Sequence, residues 1–256
     1  MKKPARRMKR LKSAWEAARR RGLLKSWYRE RYDLAMHPIQ SDVSVVPCEE
    51  VAACVQSRNK SHAPTFFATG YQQALEYFWE LEDHGFPPDR MEKILDFGCG
   101  VGRLLIHFFP FKAKLFGCDV NETAIRTGSR TLGRRAALSL TGLLPPLPYA
   151  GDFFNLIYAN SVFTHIRYDS QEIWMKELRR VLKPSGCLVL TAHPFLEPDQ
   201  APSEGWLEKD LQKGAHMDML FTREKLAELV VRHFRLLEIR EQPSGGPHVI
   251  LTKGDL

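Results

Sequence analysis

Apolar residues along the 256-residue chain fall into short continuous runs separated by stretches of helical period. Ile94-Leu95, 114–119, 156–159 and 187–192 are too short for helices and are bounded by Gly, Pro or Asp, which predicts strands buried on both faces of a parallel sheet. Residues 136–141 form a weaker strand of the same kind. Between them, a helix following 66–70 and running to about His84 carries Tyr71, Leu75, Phe78 and Trp79 on one side. The run 104–109 predicts a helix after the first strand, and 122–132 predicts another with Asn121 as its cap. Trp174, Leu178, Val181 and Leu182 share a face of a further helix, with Asp169 or Ser170 as cap, that stops at Lys183-Pro184-Ser185-Gly186. A helix over 222–233 and a final hairpin, 234–242 and 248–253 joined through 243–247, close the pattern. Strands alternating with helices make the fold class α/β.

The first part of the chain reads differently. Met8, Leu11, Trp15 and Ala18 line one face of a helix whose other positions are largely basic. Residues 1–33 hold thirteen Lys/Arg against three acids, a charge of +10, so the remainder of this +7 protein is mildly acidic at −3. Such an arm docks on its own domain, lies on an anionic membrane surface, or meets RNA or a protein partner; an organellar transit peptide is a further reading. Residues 34–62 are a mixed stretch with Pro38 and Pro47 and a helical turn at 51–55. The chain therefore divides into a basic amphipathic arm at 1–33, a helical cap region at 34–85 and an α/β domain at 86–256. No run approaches the length of a membrane span, and no apolar segment backs the basic start as a secretory signal would. Five cysteines without C-x-x-C spacing support neither a disulfide framework nor a zinc site, so a cytoplasmic protein without a metal is expected, peripheral to the membrane's inner face if the arm binds lipid.

Chemistry concentrates in 91–103, MEKILDFGCGVGR: a strand, Asp96, then glycines at 98, 100 and 102. Alternate glycines remove Cβ atoms, so a ligand can lie against the backbone, and a following helix offers unpaired N–H groups. The dinucleotide fingerprint requires a glycine at position 103, where this chain has Arg103. Asp119 ends the second strand 19 residues beyond Gly100, a position from which an acid accepts from both ribose hydroxyls.

The spacing D-x-G-x-G-x-G resembles the first motif of the class I S-adenosylmethionine-dependent methyltransferases, and the likeness extends over 66–253. Pro148, Asp152, Phe153 and Phe154 before the fourth strand are similar to the family's LPF…FD element, and ELRRVLKPSGCLVLTAH is similar to its third motif. The wording looks most like a bacterial small-molecule or glycan-associated branch. The resemblance implies a Rossmann-like three-layer sandwich with a seven-stranded, mostly parallel sheet, its last strand antiparallel, and S-adenosyl-L-methionine as cofactor. It places the cofactor on Asp96, Gly98, Cys99, Gly100, Gly102 and Arg103, with Asp119 and Val120 at the ribose, and Asn160 and Ser161 beside the methionyl part. The acid that many relatives place after the third strand is missing; Leu138, Ser139 and Thr141 stand there instead.

Nitrogen methylases of amides and bases commonly show [DN]-P-P-[FY] at the fourth strand end, where this chain has Ala159-Asn160-Ser161-Val162-Phe163, so a hydroxyl on a small molecule or saccharide is the expected acceptor. His165 is the first candidate base, with a capping or packing role as its plain alternative; His193, His216 and Asp218 are further candidates. Cys99 and Cys118 read as apolar fillers. The long segment after His193, with Trp206 and Met219, reads as a loop forming a substrate lid. Two rival classes stand beside this one: a nicotinamide-dependent oxidoreductase, and an RNA- or membrane-binding protein that uses the fold as a scaffold, although the acidic remainder disfavours nucleic acid.

Overall fold

The computed structural model describes residues 63–197, 199–210, 217–242 and 246–254. The expected arm at 1–33, the turn at 51–55, His216 and the hairpin turn at 243–245 lie outside the described residues. Nine strands are described: β1 Lys93–Phe97, β2 Lys114–Asp119, β3 Ala136–Leu140, β4 Phe154–Ala159, β5 Leu182–Thr191, β6 Trp206–Asp210, β7 Met217–Phe221, β8 Arg235–Arg240 and β9 His248–Thr252. Seven of them make one sheet in the order β3-β2-β1-β4-β5-β9-β8, and β6 and β7 pair separately. Strands β1 to β5 pair in parallel, while β9 runs antiparallel to both of its neighbours. This is the seven-stranded, mostly parallel sandwich that the sequence predicts.

The central strands are apolar without alternation because both of their faces are covered. Ile94, Leu156, Tyr158 and Val189 point to one core with α1 (Ala63–Asp83) and α2 (Glu122–Leu132). Leu95, Ile157 and Leu188 point to the other, with α3 (Tyr168–Val181) and α4 (Arg223–Val231). Asn121 caps α2 as expected, its side chain accepting from the Ala124 N–H, and Thr222 caps α4 by accepting from Lys225.

Three local expectations change. The run at 104–109 forms only a 3-10 turn, Leu105–Phe108. All four of its residues are buried, Pro110 follows, and β2 begins a few residues later, so there is no room for a full helix. The cap position of α3 is Arg167, with no side-chain bond to the helix end, and Asp169 and Ser170 lie inside the first turn. The Lys183–Gly186 segment does not simply separate helix from strand. Leu182 already pairs with Phe154, Cys187 pairs with Leu156, and the residues between bulge out of the ladder.

The segment entering β4 is held to α3 by Glu177. Its carboxylate accepts from the Leu147 N–H at 2.6 Å and from Arg180 at 2.7 and 2.8 Å. The Arg180 hydrogen bond keeps the Glu177 carboxyl below its ordinary value against the opposing effect of burial. Its contribution is therefore fully present above the unfolded carboxylate value of about 4.3 and is lost as pH falls through the lower folded value. Glu177→Gln should cost about 2 kcal/mol at neutral pH, and urea titrations should show that deficit shrinking below about pH 4.

Candidate functional site

The chain leaves β1 toward β2 on one side and later enters β4 on the other. The carboxyl ends of β1 and β4 therefore meet at the point where strand order reverses, the place where open α/β sheets bind ligands. The two segments leaving those ends touch. A Cβ added to Gly98, at φ 77°, would lie 2.2 Å from Cγ2 of Val162 in the segment after β4.

The glycine loop folds back over the end of β2. The N–H groups of Gly98 and Cys99 both donate to the Cys118 carbonyl, at 2.8 and 3.0 Å. The Gly100 N–H donates to Asp119 Oδ2 at 2.8 Å, and the Asn121 N–H donates to the other oxygen at 2.9 Å. The carboxylate is thus fixed in place, while each of its oxygens retains a lone pair for a ligand hydroxyl. Gly100 has φ 53°, a region disfavoured for side chains, and a Cβ there would meet no atom within 4 Å. The Gly100 backbone is therefore bare on that face while its N–H holds Asp119. Gly102 instead packs against Leu132 of α2. Val120 is exposed, and Cys99 and Cys118 are buried thiols, as expected of fillers.

Asp96 is almost fully buried behind the loop. Burial pushes its carboxyl up to about 8; the neighbouring Tyr158 hydroxyl pulls the other way, Asp119 adds to the rise and Arg103 opposes it. Asp96 therefore keeps its proton near neutrality. Arg103 turns toward α1, where its guanidinium donates to Gln73 Oε1 at 2.5 Å, and burial lowers its pKa.

At the end of β4, Asn160 and Ser161 are held from two directions. Tyr77 of α1 donates its hydroxyl proton to Asn160 Oδ1 at 3.0 Å. The Ser161 N–H donates to Thr191 Oγ1 of β5 at 2.6 Å, and Ser161 has φ 56°. A non-glycine residue in that region is strained and persists where its surroundings hold it. Gln73, Tyr77 and Thr191 were not recognised as site residues from the sequence. The available signal was the spacing Gly70, Gln73, Tyr77, Glu80, one stripe of a helix, which the aromatic residues beside it obscured.

Three of the four acid–base candidates converge. His165 lies in the segment after β4, His193 just beyond β5, and Asp218 on β7. Asp218 Oδ1 is 3.5 Å from His165 Nδ1 and 3.2 Å from His193 Nε2, and the two rings are 6.3 Å apart at 79°. The expected loop after His193 is in part an antiparallel ribbon of β6 and β7, and this ribbon delivers the carboxylate. It is packed onto the domain: the Met219 N–H donates to the Thr164 carbonyl and the Leu196 N–H to the Phe221 carbonyl, both at 2.8 Å. Trp206 stacks on Tyr168 at 4.8 Å and 2°.

Among the described residues no group of His, Cys, Asp and Glu is arranged to hold a metal ion, and no helix is long and apolar enough to cross a membrane.

Comparison with known proteins gives the same picture. Residues 95–190 match a family described as a methyltransferase domain. A 135-residue stretch is 29% identical to an uncharacterized protein of Rickettsia prowazekii, covering 49% of this chain and 52% of that one. A 130-residue stretch is 28% identical to an uncharacterized methyltransferase of Schizosaccharomyces pombe, covering 44% and 45%. The chain thus matches about half the length of these relatives. The fold is similar to the Burkholderia thailandensis 1,6-didemethyltoxoflavin-N1-methyltransferase, with TM-score 0.58 and 18% identity over 73% of this chain and 79% of that one. The match over 95–190 to a methyltransferase domain family covers the glycine loop and strands β1 to β5 from Leu95 up to Leu190, and the strand order is the one that the resemblance in the sequence implies.

Proposed function

We propose that the protein transfers a methyl group from S-adenosyl-L-methionine to a hydroxyl of a small molecule or saccharide. The observation that carries this reading is the Asp218 carboxylate facing two imidazoles beside the strand end that follows the glycine loop. When bound, the cofactor supplies a methyl group already activated by its positive sulfur, so the protein's share of the work is alignment, exclusion of water and removal of a proton. Asp119 holds the ribose through its remaining lone pairs, and Gly100 admits the nucleoside to the backbone. A hydroxyl acceptor must lose its proton as the new bond forms. His165 directs Nδ1 at Asp218, and an imidazole whose Nδ1–H faces a carboxylate has Nε2 as its basic nitrogen. Nε2 of His165 is accordingly the atom that receives the acceptor's proton, and Asp218 sets its tautomer and steadies the resulting cation. We also assign segment 1–33, with its charge of +10, to peripheral contact with an anionic membrane surface.

Three outcomes test this reading. Calorimetry should detect micromolar binding of S-adenosylhomocysteine by the full chain and none of NADH, and Asp119→Ala should abolish it; well-folded protein that binds only NADH would overturn the cofactor assignment. In methyl-transfer assays over a panel of hydroxylated sugars and their amino counterparts, the hydroxyl compounds should be the substrates. His165→Gln should then lower kcat by about a hundredfold, with affinity for S-adenosylhomocysteine unchanged; transfer to amines alone would refute the hydroxyl reading. Deletion of residues 1–33 should abolish co-sedimentation with phosphatidylglycerol vesicles while leaving cofactor binding intact.

A further inference from the structure

We propose that Tyr77 of α1 is a positioning residue for the amino-acid tail of the cofactor, because its hydroxyl turns the Asn160 side chain so that the amide NH2 is presented to a carboxylate. The proposal rests on the methyltransferase reading and adds to it a residue outside the glycine loop and the strand ends.

An asparagine amide has one end that only accepts and one that only donates. Which end faces a ligand decides whether the group attracts or repels an anion. Here the accepting end is taken: Asn160 Oδ1 receives the Tyr77 hydroxyl proton at 3.0 Å. The donating end is therefore the one turned away from α1. Burial, and then the nearby Glu80 carboxylate, push the Tyr77 pKa well above the ordinary phenol value, so the hydroxyl keeps the proton that it donates to Asn160.

The position of that hydroxyl is itself fixed. The Tyr77 ring stacks on His248 of β9 at 4.8 Å and 23°, and it lies 5.6 Å from the Tyr158 ring. His248 Nδ1 is 2.8 Å from Glu80 Oε2, and both residues are nearly fully buried. Glu80 lies one turn along α1 from Tyr77, and Gln242 donates to its other carboxylate oxygen. His248 pairs across the ladder with Thr191, the residue that accepts the Ser161 N–H. Buried polar contacts therefore tie α1 to β9, whose His248 lies opposite Thr191 in the ladder, and a separate contact ties Tyr77 to the Asn160 side chain. The same helix reaches Arg103 through Gln73, and Gly70 admits close contact: a Cβ there would stand 2.5 Å from the Arg103 carbonyl oxygen. Helix α1 thus sets both groups that carry positive or donating character at this end of the site. The ligand class they suit is an α-amino-acid carboxylate on a nucleoside.

The test compares two ligands on the full chain by calorimetry. S-adenosylhomocysteine carries the amino-acid tail, while 5′-methylthioadenosine has the same nucleoside and no tail. Tyr77→Phe should weaken S-adenosylhomocysteine about tenfold, the loss of one hydrogen bond to a charged group, and leave 5′-methylthioadenosine within about twofold. Asn160→Asp, an isosteric change at a half-buried position, should produce at least as large a selective loss, because it sets a like charge against the tail. Equal weakening of both ligands, or unchanged binding of S-adenosylhomocysteine in either variant, would overturn the proposal while leaving the cofactor assignment standing. Failure of the unmodified protein to bind either ligand would overturn both.

Discussion

Three successive N–H groups of the glycine loop, those of Gly98, Cys99 and Gly100, fold back onto the end of β2. The rest of the site depends on this constraint. It closes the loop over Cys118, holds the Asp119 carboxylate on the Gly100 N–H, and lets Val162 from the far side of β1 close against Gly98. A side chain at position 98 would collide with Val162 and separate the two strand ends. The geometry thus couples backbone conformation, ligand space and the junction of β1 with β4 in a few residues.

The glycine loop and the His165–His193–Asp218 cluster are built by different means. The loop is local: strand, loop and the next strand are consecutive in the chain, and their hydrogen bonds are mostly backbone bonds. The cluster is assembled by docking. His165, His193 and Asp218 come from three separate elements, and they meet because the β6–β7 ribbon bonds to Thr164 and packs Trp206 on Tyr168. A cluster built this way can be altered through the ribbon without disturbing the glycine loop.

Helix α1 joins the glycine loop to the end of β4 and to β9. Its apolar residues Ala74, Leu75, Phe78 and Leu81 belong to the core beside β1 and β4, while Gln73, Tyr77 and Glu80 carry polar contacts across the same interface. Buried polar contacts such as that of Glu80 with His248 contribute little net stability once desolvation is counted, but removing one partner is costly. They suit specification of one seating of the helix better than strengthening of the fold.

The fold was legible because its signals are periodic and local. Continuous apolar runs, the Asn121 cap, the glycine spacing and the acid at Asp119 each report on their own few residues, and they agree. The same locality explains the errors. A run of apolar residues at 104–109 reads as a helix until the nearness of β2 denies it length, and Asp169 reads as a cap although the chain enters α3 at Arg167. The sequence marked His165, His193 and Asp218 only as separate candidates, because nothing along the chain measures the distance between residues on different strands. It missed Tyr77 altogether, since a tyrosine among aromatics reads as core. What the sequence determined by itself is the order of strands and helices and the cofactor loop, because backbone conformation and burial are written in neighbouring residues. The tertiary structure alone decided which side chains face one another across the strand ends, because those contacts exist only after sheet, ribbon and helix have packed.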